Sequence, residues 1–288
     1  PISTVGRITT AIITKVAATA TKRGRKPCTD PRAGRRVAVN QTIRETMLEN
    51  RDNRPGPHRG KVYAITSGKG GVGKTSLAVN LSITLAGAGL RVLLIDADMG
   101  LANVELMTGV AAPHTIEEVI RGEASIFEAL AEGPENVTIL SAGSGRGRML
   151  EMGEDNAERF RQELSKLENA FDLIFIDTGA GISANVVDFV FMAGEVLVVM
   201  TPEPTAFADA YAMVKVVTME RPDMDVGIVV NMVRNDGEAG AVAAKFGEIV
   251  QRFLRKEIRF RGSIPRDGIV SEAIMRQVPL ALYAGKSG

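Results

Sequence analysis

The sequence predicts a doubly wound α/β domain with a mostly parallel sheet, and three observations predict it. Short, continuously apolar runs recur from Lys61 onward. Helix-like segments separate them. A glycine-rich loop, GKGGVGKT (68–75), joins the first run to the first of those segments. Parallel strands are covered by helices on both faces, so they read as unbroken hydrophobic stretches rather than as an alternation of polar and apolar residues.

Taken in order, the strand-like runs are VYAIT (62–66), VLLID (92–96), VTIL (137–140), LIFID (173–177), VLVVM (196–200), VGIVVN (226–231) and FRGSIP (260–265). Helical patterns lie between them, for example at 75–88, 156–169, 205–220 and 238–254. Phe189, Phe191, Met192 and Tyr211 are expected to serve packing. Upstream, VAVNQTIRETMLEN (37–50) fits a short amphipathic helix, and NRPGPHRG (53–60) is a linker by its Pro and Gly content. The chain therefore divides into a leader, 1–60, and a nucleotide-binding domain, 61–288.

Composition narrows the class. Of 288 residues, 45% are hydrophobic and 24% charged, enough to build a sizeable core. A single cysteine, Cys28, excludes an intrachain disulfide and a cluster held by cysteines of one chain. No apolar run reaches the roughly 18 residues that span a bilayer, so a cytoplasmic protein is expected. The net charge of +1 conceals an asymmetry. Residues 1–36 carry nine Lys and Arg against one acid, Asp30, which leaves 26 basic and 33 acidic residues in the rest, a net of −7. An acidic body argues against nonspecific DNA binding, which needs clustered cations. The leader resembles an organelle transit peptide in composition, though a disordered tail is the plainer expectation.

The loop GKGGVGKT fits G-x-x-x-x-G-K-[ST] in the strand–loop–helix context that this motif requires. Its glycines let backbone N–H groups turn inward around phosphate oxygens, and the helix N-terminus adds its positive end. Lys74 supplies a point charge to the β- and γ-phosphates, and Thr75 offers a hydroxyl to Mg²⁺. The nucleotide-binding set thus comprises Gly68, Lys69, Gly70, Gly71, Val72, Gly73, Lys74, Thr75 and Ser76. VLLIDADMG places Asp96 and Asp98 at the C-terminal end of the second strand, where open α/β sheets bind ligands. One carboxylate can serve the loop or Mg²⁺ while the other orients a water. FDLIFIDTGAGIS (171–183) ends a further strand in Asp177, which fits a carboxylate holding Mg²⁺ through water. Thr178, Gly179 and Gly181 read as a flexible turn able to sense the γ-phosphate. Asn231 ends another strand with an amide that can donate to and accept from a base, and the GSIPRD loop containing Pro265 could close over the ring. The guanine motif N-K-x-D is missing, since Asn231 is followed by Met232, Val233 and Arg234. ATP is the expected nucleotide.

The second lysine of the loop carries a resemblance. K-G-G-x-G-K-[ST], here from Lys69 to Thr75, resembles the deviant phosphate loop of the MinD/ParA class of SIMIBI-type P-loop ATPases, and the likeness runs from about Lys61 to the end. The resemblance implies that Lys69 reaches the phosphates of an ATP held by a second copy, so that hydrolysis is slow and depends on an ATP-bound homodimer. It also implies that Asp98 positions the attacking water, that Asp96 supports the metal shell, and that Asn231 and Pro265 contact adenine. The catalytic set is then Lys69, Lys74 and Asp98, and the metal set Thr75, Asp96 and Asp177.

DADMGLANVELMTG (96–109) resembles the MinD/FlhG branch, and SAGSGRGRM (141–149) and TPEPTAFADAYAMVKVV (201–217) resemble FlhG, also called FleN, which limits flagellar number. That branch implies an FlhF-type GTPase, a flagellar transcription activator or switch-complex proteins as partners, with no specific nucleic acid. Of its N-terminal D-Q-A-x-x-L-R motif, NQTIRET (40–46) retains Gln41. The branch also implies a terminal amphipathic helix that docks dimers peripherally on the inner membrane. The sequence stops at LALYAGKSG, where the final helices are expected to begin, so the expectation is either a truncated chain or one that lacks that anchor. The alternatives are a MinD-like division-site regulator and a ParA-like DNA-partition ATPase.

Overall fold

The computed structural model describes residues 60–100, 103–143 and 153–283. The leader, the helix expected at 37–50 and most of SAGSGRGRM lie outside the described residues. Eight strands form one sheet: β1 (Lys61–Ser67), β2 (Val92–Ala97), β3 (Ala131–Glu132), β4 (Thr138–Ser141), β5 (Leu173–Ala180), β6 (Glu195–Met200), β7 (Asp225–Val233) and β8 (Arg259–Pro265). Their order is β3-β4-β2-β5-β1-β6-β7-β8. Every neighbouring pair is parallel except β3 with β4. The helices are α1 (Lys74–Gly87), α2 (Asn103–Thr108), α3 (Ile116–Arg121), α4 (Gly153–Leu167), α5 (Ala184–Val190), α6 (Pro204–Glu220), α7 (Asp236–Leu254), α8 (Gly268–Met275) and α9 (Leu280–Tyr283).

The seven expected strands are all present, and the four expected helices are α1, α4, α6 and α7. The additional strand β3 is a two-residue antiparallel edge piece, too short to leave a periodic signal. Helices α2, α3, α5, α8 and α9 are four to eight residues long, below the length at which a 3.6-residue repeat becomes legible.

The unbroken apolar runs are explained by the two buried faces of the sheet. Successive side chains leave a strand on opposite faces. Leu94 of β2, Phe175 of β5 and Leu197 of β6 therefore join α1 in one core, while Ile95, Ile176 and Val198 enter the cores on the other face. Tyr63 stacks on Phe175 at 5.7 Å between ring centres. Phe189 is fully buried and meets Phe160 edge-on, and Tyr211 packs half-buried against the α6–α7 core, as expected of packing residues. Each fully buried large apolar side chain contributes roughly 1.5–3 kcal/mol.

At the N-terminal ends of the strands, buried charge is paired. Arg261 on β8 reaches over β7 to Glu195 on β6, and both side chains are largely buried. The crossing requires Gly227, because a Cβ there would stand 2.7 Å from Arg261 Cγ. Asp172 likewise accepts from the Arg91 backbone N–H (2.9 Å) and from its guanidinium Nε (3.1 Å).

Candidate functional site

At the opposite edge the C-terminal ends of β1, β2 and β5 converge. The sequence leaves β1 at Ser67 and enters α1 at Lys74 through GKGGVG. Gly73, at the N-cap, has φ 91° and no side-chain cap, so the first N–H groups of α1 are left to a ligand. The N-caps of α5 and α6 likewise make no side-chain bond, whereas α3 begins with a reciprocal Thr115–Glu118 capping box, and α7 and α8 are capped by Asn235 and Asp267.

The loop glycines serve different ends. A Cβ on Gly68 would stand 2.0 Å from the Asp209 carbonyl oxygen, and one on Gly73 would stand 2.4 Å from Asn231 Nδ2. These two glycines admit close neighbours. Gly71, with φ +77°, faces open space, and Gly70 meets only the Ala180 methyl at 3.9 Å. These two keep a concavity free.

Lys74 is buried beside Asp177. Asp96 and Asp177 are register partners on adjacent parallel strands, so both leave the sheet on the α1 side, as do their neighbours Leu94 and Phe175 two and two residues earlier. Asp177 is fully buried, and neither carboxylate oxygen has a hydrogen-bond partner among the described residues. Its pKa is raised to about 7, chiefly by burial and in smaller part by the Asp98 charge, against the lowering influence of the nearby Thr75 hydroxyl and the Lys74 charge. Burial also pushes Asp96 up to about 8, with the Asp177 charge adding to the effect. Two carboxylates packed this way beside one lysine call for a further cation. The residues present fit Mg²⁺, which takes one or two carboxylates, a hydroxyl and phosphate oxygens.

Asp96 also anchors the chain that follows it. Its Oδ1 accepts from the Asp98 N–H (3.2 Å) and its Oδ2 from the Val104 N–H in the first turn of α2 (3.0 Å). Asp98 lies just beyond β2, accepts from the Gly100 N–H at 3.2 Å, and comes within 3.9 Å of the position a Gly179 Cβ would take. The Asp98 and Asp177 loops are thus adjacent. Thr178 and Gly179 differ from the flexible turn expected of them. They belong to β5, where Thr178 is buried and bonds the Thr66 hydroxyl at 2.9 Å. The turn starts at Gly181, whose φ is 91° and whose N–H bonds Ser67 O at 2.9 Å.

Lys69 is held within its own chain. Its Nζ lies 3.2 Å from Glu203 Oε2 and 3.1 Å from Thr205 Oγ1, at the start of α6. With Asp209 against Gly68, the N-terminal part of α6 is a wall of the phosphate loop. Glu203, Thr205 and Asp209 were not legible as loop neighbours, because more than 130 residues separate them from Lys69.

On the base side, a cavity of about 420 Å³ runs from Gly73 and Ser76 along α1 to Thr84, walled by Asn231, Met232, Pro265 and Arg266 and by α8 and α9. Pro265 and Asn231 are brought together there, but the Asn231 amide is engaged. Its Nδ2 donates to Val72 O at 2.7 Å and its Oδ1 accepts from the Met232 N–H at 2.8 Å. Among the described residues no cluster of three or more His, Cys, Asp or Glu could hold a metal, and no helix is long and apolar enough to cross a membrane.

Residues 63–280 match the model of the CobQ/CobB/MinD/ParA nucleotide-binding domain. The chain is 38% identical over 220 residues to the antiactivator FleN of Pseudomonas aeruginosa, covering 76% of this chain and 79% of that protein. It is 31% identical over 216 residues to the flagellum site-determining protein YlxH of Helicobacter pylori, covering 74% and 72%. Among solved structures, the septum site-determining protein MinD of Pyrococcus horikoshii complexed with Mg-ADP superposes with a TM-score of 0.62 at 25% identity, over 78% of this chain and 88% of that one.

Proposed function

The chain belongs to the CobQ/CobB/MinD/ParA nucleotide-binding family, and from that premise we propose that it is an Mg·ATP-dependent ATPase switch, working as a pair of copies, that regulates flagellar number or placement. The single observation that carries the enzymatic reading is Asp177, a buried carboxylate beside Lys74 and Thr75 whose two oxygens have no hydrogen-bond partner among the described residues. A purely structural aspartate at that depth would be paired. The flagellar output rests on the likeness to FleN and YlxH.

The N–H groups of Gly70 to Thr75 wrap the phosphates, and Lys74 neutralises them from within the loop. Thr75 and Asp177 would hold Mg²⁺, with Asp96 behind them, and the ion would supply positive charge to the phosphate oxygens. Asp98 orients the attacking water, accepting its hydrogen bond at the mouth of the site. Pro265 walls the base. Lys69 completes the site from a second copy. To do so it leaves Glu203 and Thr205, an exposed ion pair of the kind worth about 0–1 kcal/mol, which is weak enough for a phosphate to displace. A cation delivered only on pairing makes cleavage conditional on assembly. The partners are then an FlhF-type GTPase, a flagellar transcription activator or switch-complex proteins, at the cytoplasmic face of the inner membrane.

The test is ATP turnover per molecule against protein concentration. It should rise with concentration and level off, and Lys69→Ala should lower the plateau roughly 100-fold while Mg·ATP still binds. Turnover that is independent of concentration, and unchanged by the substitution, would remove the paired mechanism. Deleting the gene should alter flagellar number or position. Normal flagella with displaced septa would favour the division-site reading, which the likeness to the Pyrococcus protein supports.

A further inference from the structure

We infer that a groove at the N-terminal edge of the sheet is the docking surface for residues 37–50 of this same chain, independently of the nucleotide reading, since the groove and the phosphate loop lie at opposite edges of the sheet. The groove encloses about 720 Å³. Its floor is the start of β1, one wall is the outward stripe of α4 from Glu158, continued to Glu168, and the other is the turn 191–195. That stripe rises by roughly 15 Å at about 1.5 Å per residue. Val62, Phe191 and Met192 are half-buried at the groove. They pack inward on the two cores of that face and leave the rest of their apolar surface to an occupant.

The leader is delivered into this groove. Gly60 is one of the lining residues, and its N–H donates to Glu168 O at 2.7 Å. A Cβ there would stand 2.5 Å from Phe171 O, so the backbone is pressed against the end of α4 as only glycine allows. Residues 51–59 contain Pro55, Gly56 and Pro57, a composition that reverses a chain. A linker of that length reaches at most about 30 Å, so residues 37–50 can return over a groove half as long. In that stretch Val39, Ile43 and Met47 recur every four residues, which in a helix makes one apolar stripe. Charge selects the same stretch. Glu158 is paired with Arg161, Asp225 with Arg259 and Glu195 with Arg261, so the walls offer little net charge. Residues 1–36, with nine Lys and Arg against Asp30, find no counter-charge there, whereas 37–50 carry only Arg44 against Glu45 and Glu49. A short tether holds its segment at a roughly millimolar effective concentration, so weak apolar docking is enough.

Disulfide cross-linking in the full chain decides. Cys28→Ser first removes the single native thiol. Thr46→Cys, which flanks the apolar stripe, is then combined either with Ser165→Cys in the groove or with Arg159→Cys, exposed on the flank of α4 outside it. Docking predicts that the bridge between positions 46 and 165 forms at least roughly tenfold faster than the bridge between 46 and 159, at a rate independent of protein concentration. Ile43→Asp, which lies in the leader and leaves the core of the domain untouched, should erase that preference. Equal rates at the two positions, none at either included, would overturn the inference, as would a preference that survives Ile43→Asp. A 46–165 bridge that joins two chains and speeds up with concentration would overturn it as well, since the occupant would then be a second copy.

Discussion

The two edges of the sheet bury charge in opposite ways. At the N-terminal edge, Glu195 meets Arg261 and Asp172 meets Arg91. At the C-terminal edge, Asp177 is completely buried with neither oxygen partnered among the described residues, and Asp96 lies beside it on the next strand. Desolvation raises the pKa of both Glu195 and Asp177, so burial alone does not distinguish them. The partner does. A buried carboxylate that brings its own cation is part of the fold, whereas one that lacks a sufficient cation is prepared for something the fold does not contain. Glycine use follows the same division. Gly227 is small so that Arg261 can pass, while Gly71 faces open space and Gly70 meets only the Ala180 methyl at 3.9 Å.

The same chemical change at each edge should break or sharpen the contrast. The largest effect is expected from Asp177→Asn. It replaces an unpaired buried charge by a neutral isostere and removes a proposed metal carboxylate. ATP turnover should fall at least roughly 100-fold. The ligand-free protein should melt no lower than the parent at pH 8, and by a few degrees higher if the charge was wholly uncompensated, at about 3 °C per kcal/mol for a domain of this size. A large drop in melting temperature would show that Asp177 is an internal structural group after all. Glu195→Gln should do the reverse. It leaves the Arg261 guanidinium buried without a counter-charge, and Arg261 Nε already lacks a partner among the described residues. Denaturant unfolding should register a loss of about 3 kcal/mol, with Mg·ATP affinity unchanged. Equal stability of variant and parent would mean that the pair is solvated and the contrast between the edges is false.

The sequence carried much of this because the signals are local. An apolar run that must be buried on both sides is continuous, so each parallel strand was legible from β1 to β8, as were the four long helices. The phosphate loop was legible because its motif is contiguous and sits between a strand and a helix. What was not legible depends on distance or on backbone irregularity. Glu203 and Asp209 touch the loop from α6, and no spacing rule connects them to Lys69 and Gly68. Asn231 sits where expected, but nothing in VGIVVNMV marks the register shift beside it or the left-handed conformation of Met232. Thr178 and Gly179 read as a turn because of their composition, yet pairing with β1 and β2 keeps them in the strand. The pairing of Glu195 with Arg261 needed the strand order, which places β7 between their two strands.

The last test of the same contrast needs no mutation. Asp177 and Asp96 are raised from 3.8 to about 7 and about 8. Between the unfolded and folded values, the folded protein keeps protons that the unfolded chain has released. Stability supplied by the protonated pair is thus complete below pH 4 and is lost as pH rises through 7 and 8, with a limiting slope of about 1.4 kcal/mol per pH unit for one carboxylate. The ligand-free melting temperature should therefore decline from pH 6 to pH 8.5. The ionised pair is the form that attracts a cation, so Mg²⁺ with nucleotide should stabilise more strongly at pH 8.5 than at pH 6 and flatten the decline. Asp177→Asn should flatten it as well, without ligand, because one of the two titrating groups is gone. The Glu195→Gln protein should keep the parent's slope at a lower baseline, since Asp177 and Asp96 at the far edge are untouched. If the slope survived Asp177→Asn and vanished in Glu195→Gln, the titrating charge would lie at the wrong end of the sheet, and the division between a paired edge and a prepared edge would have to be reversed.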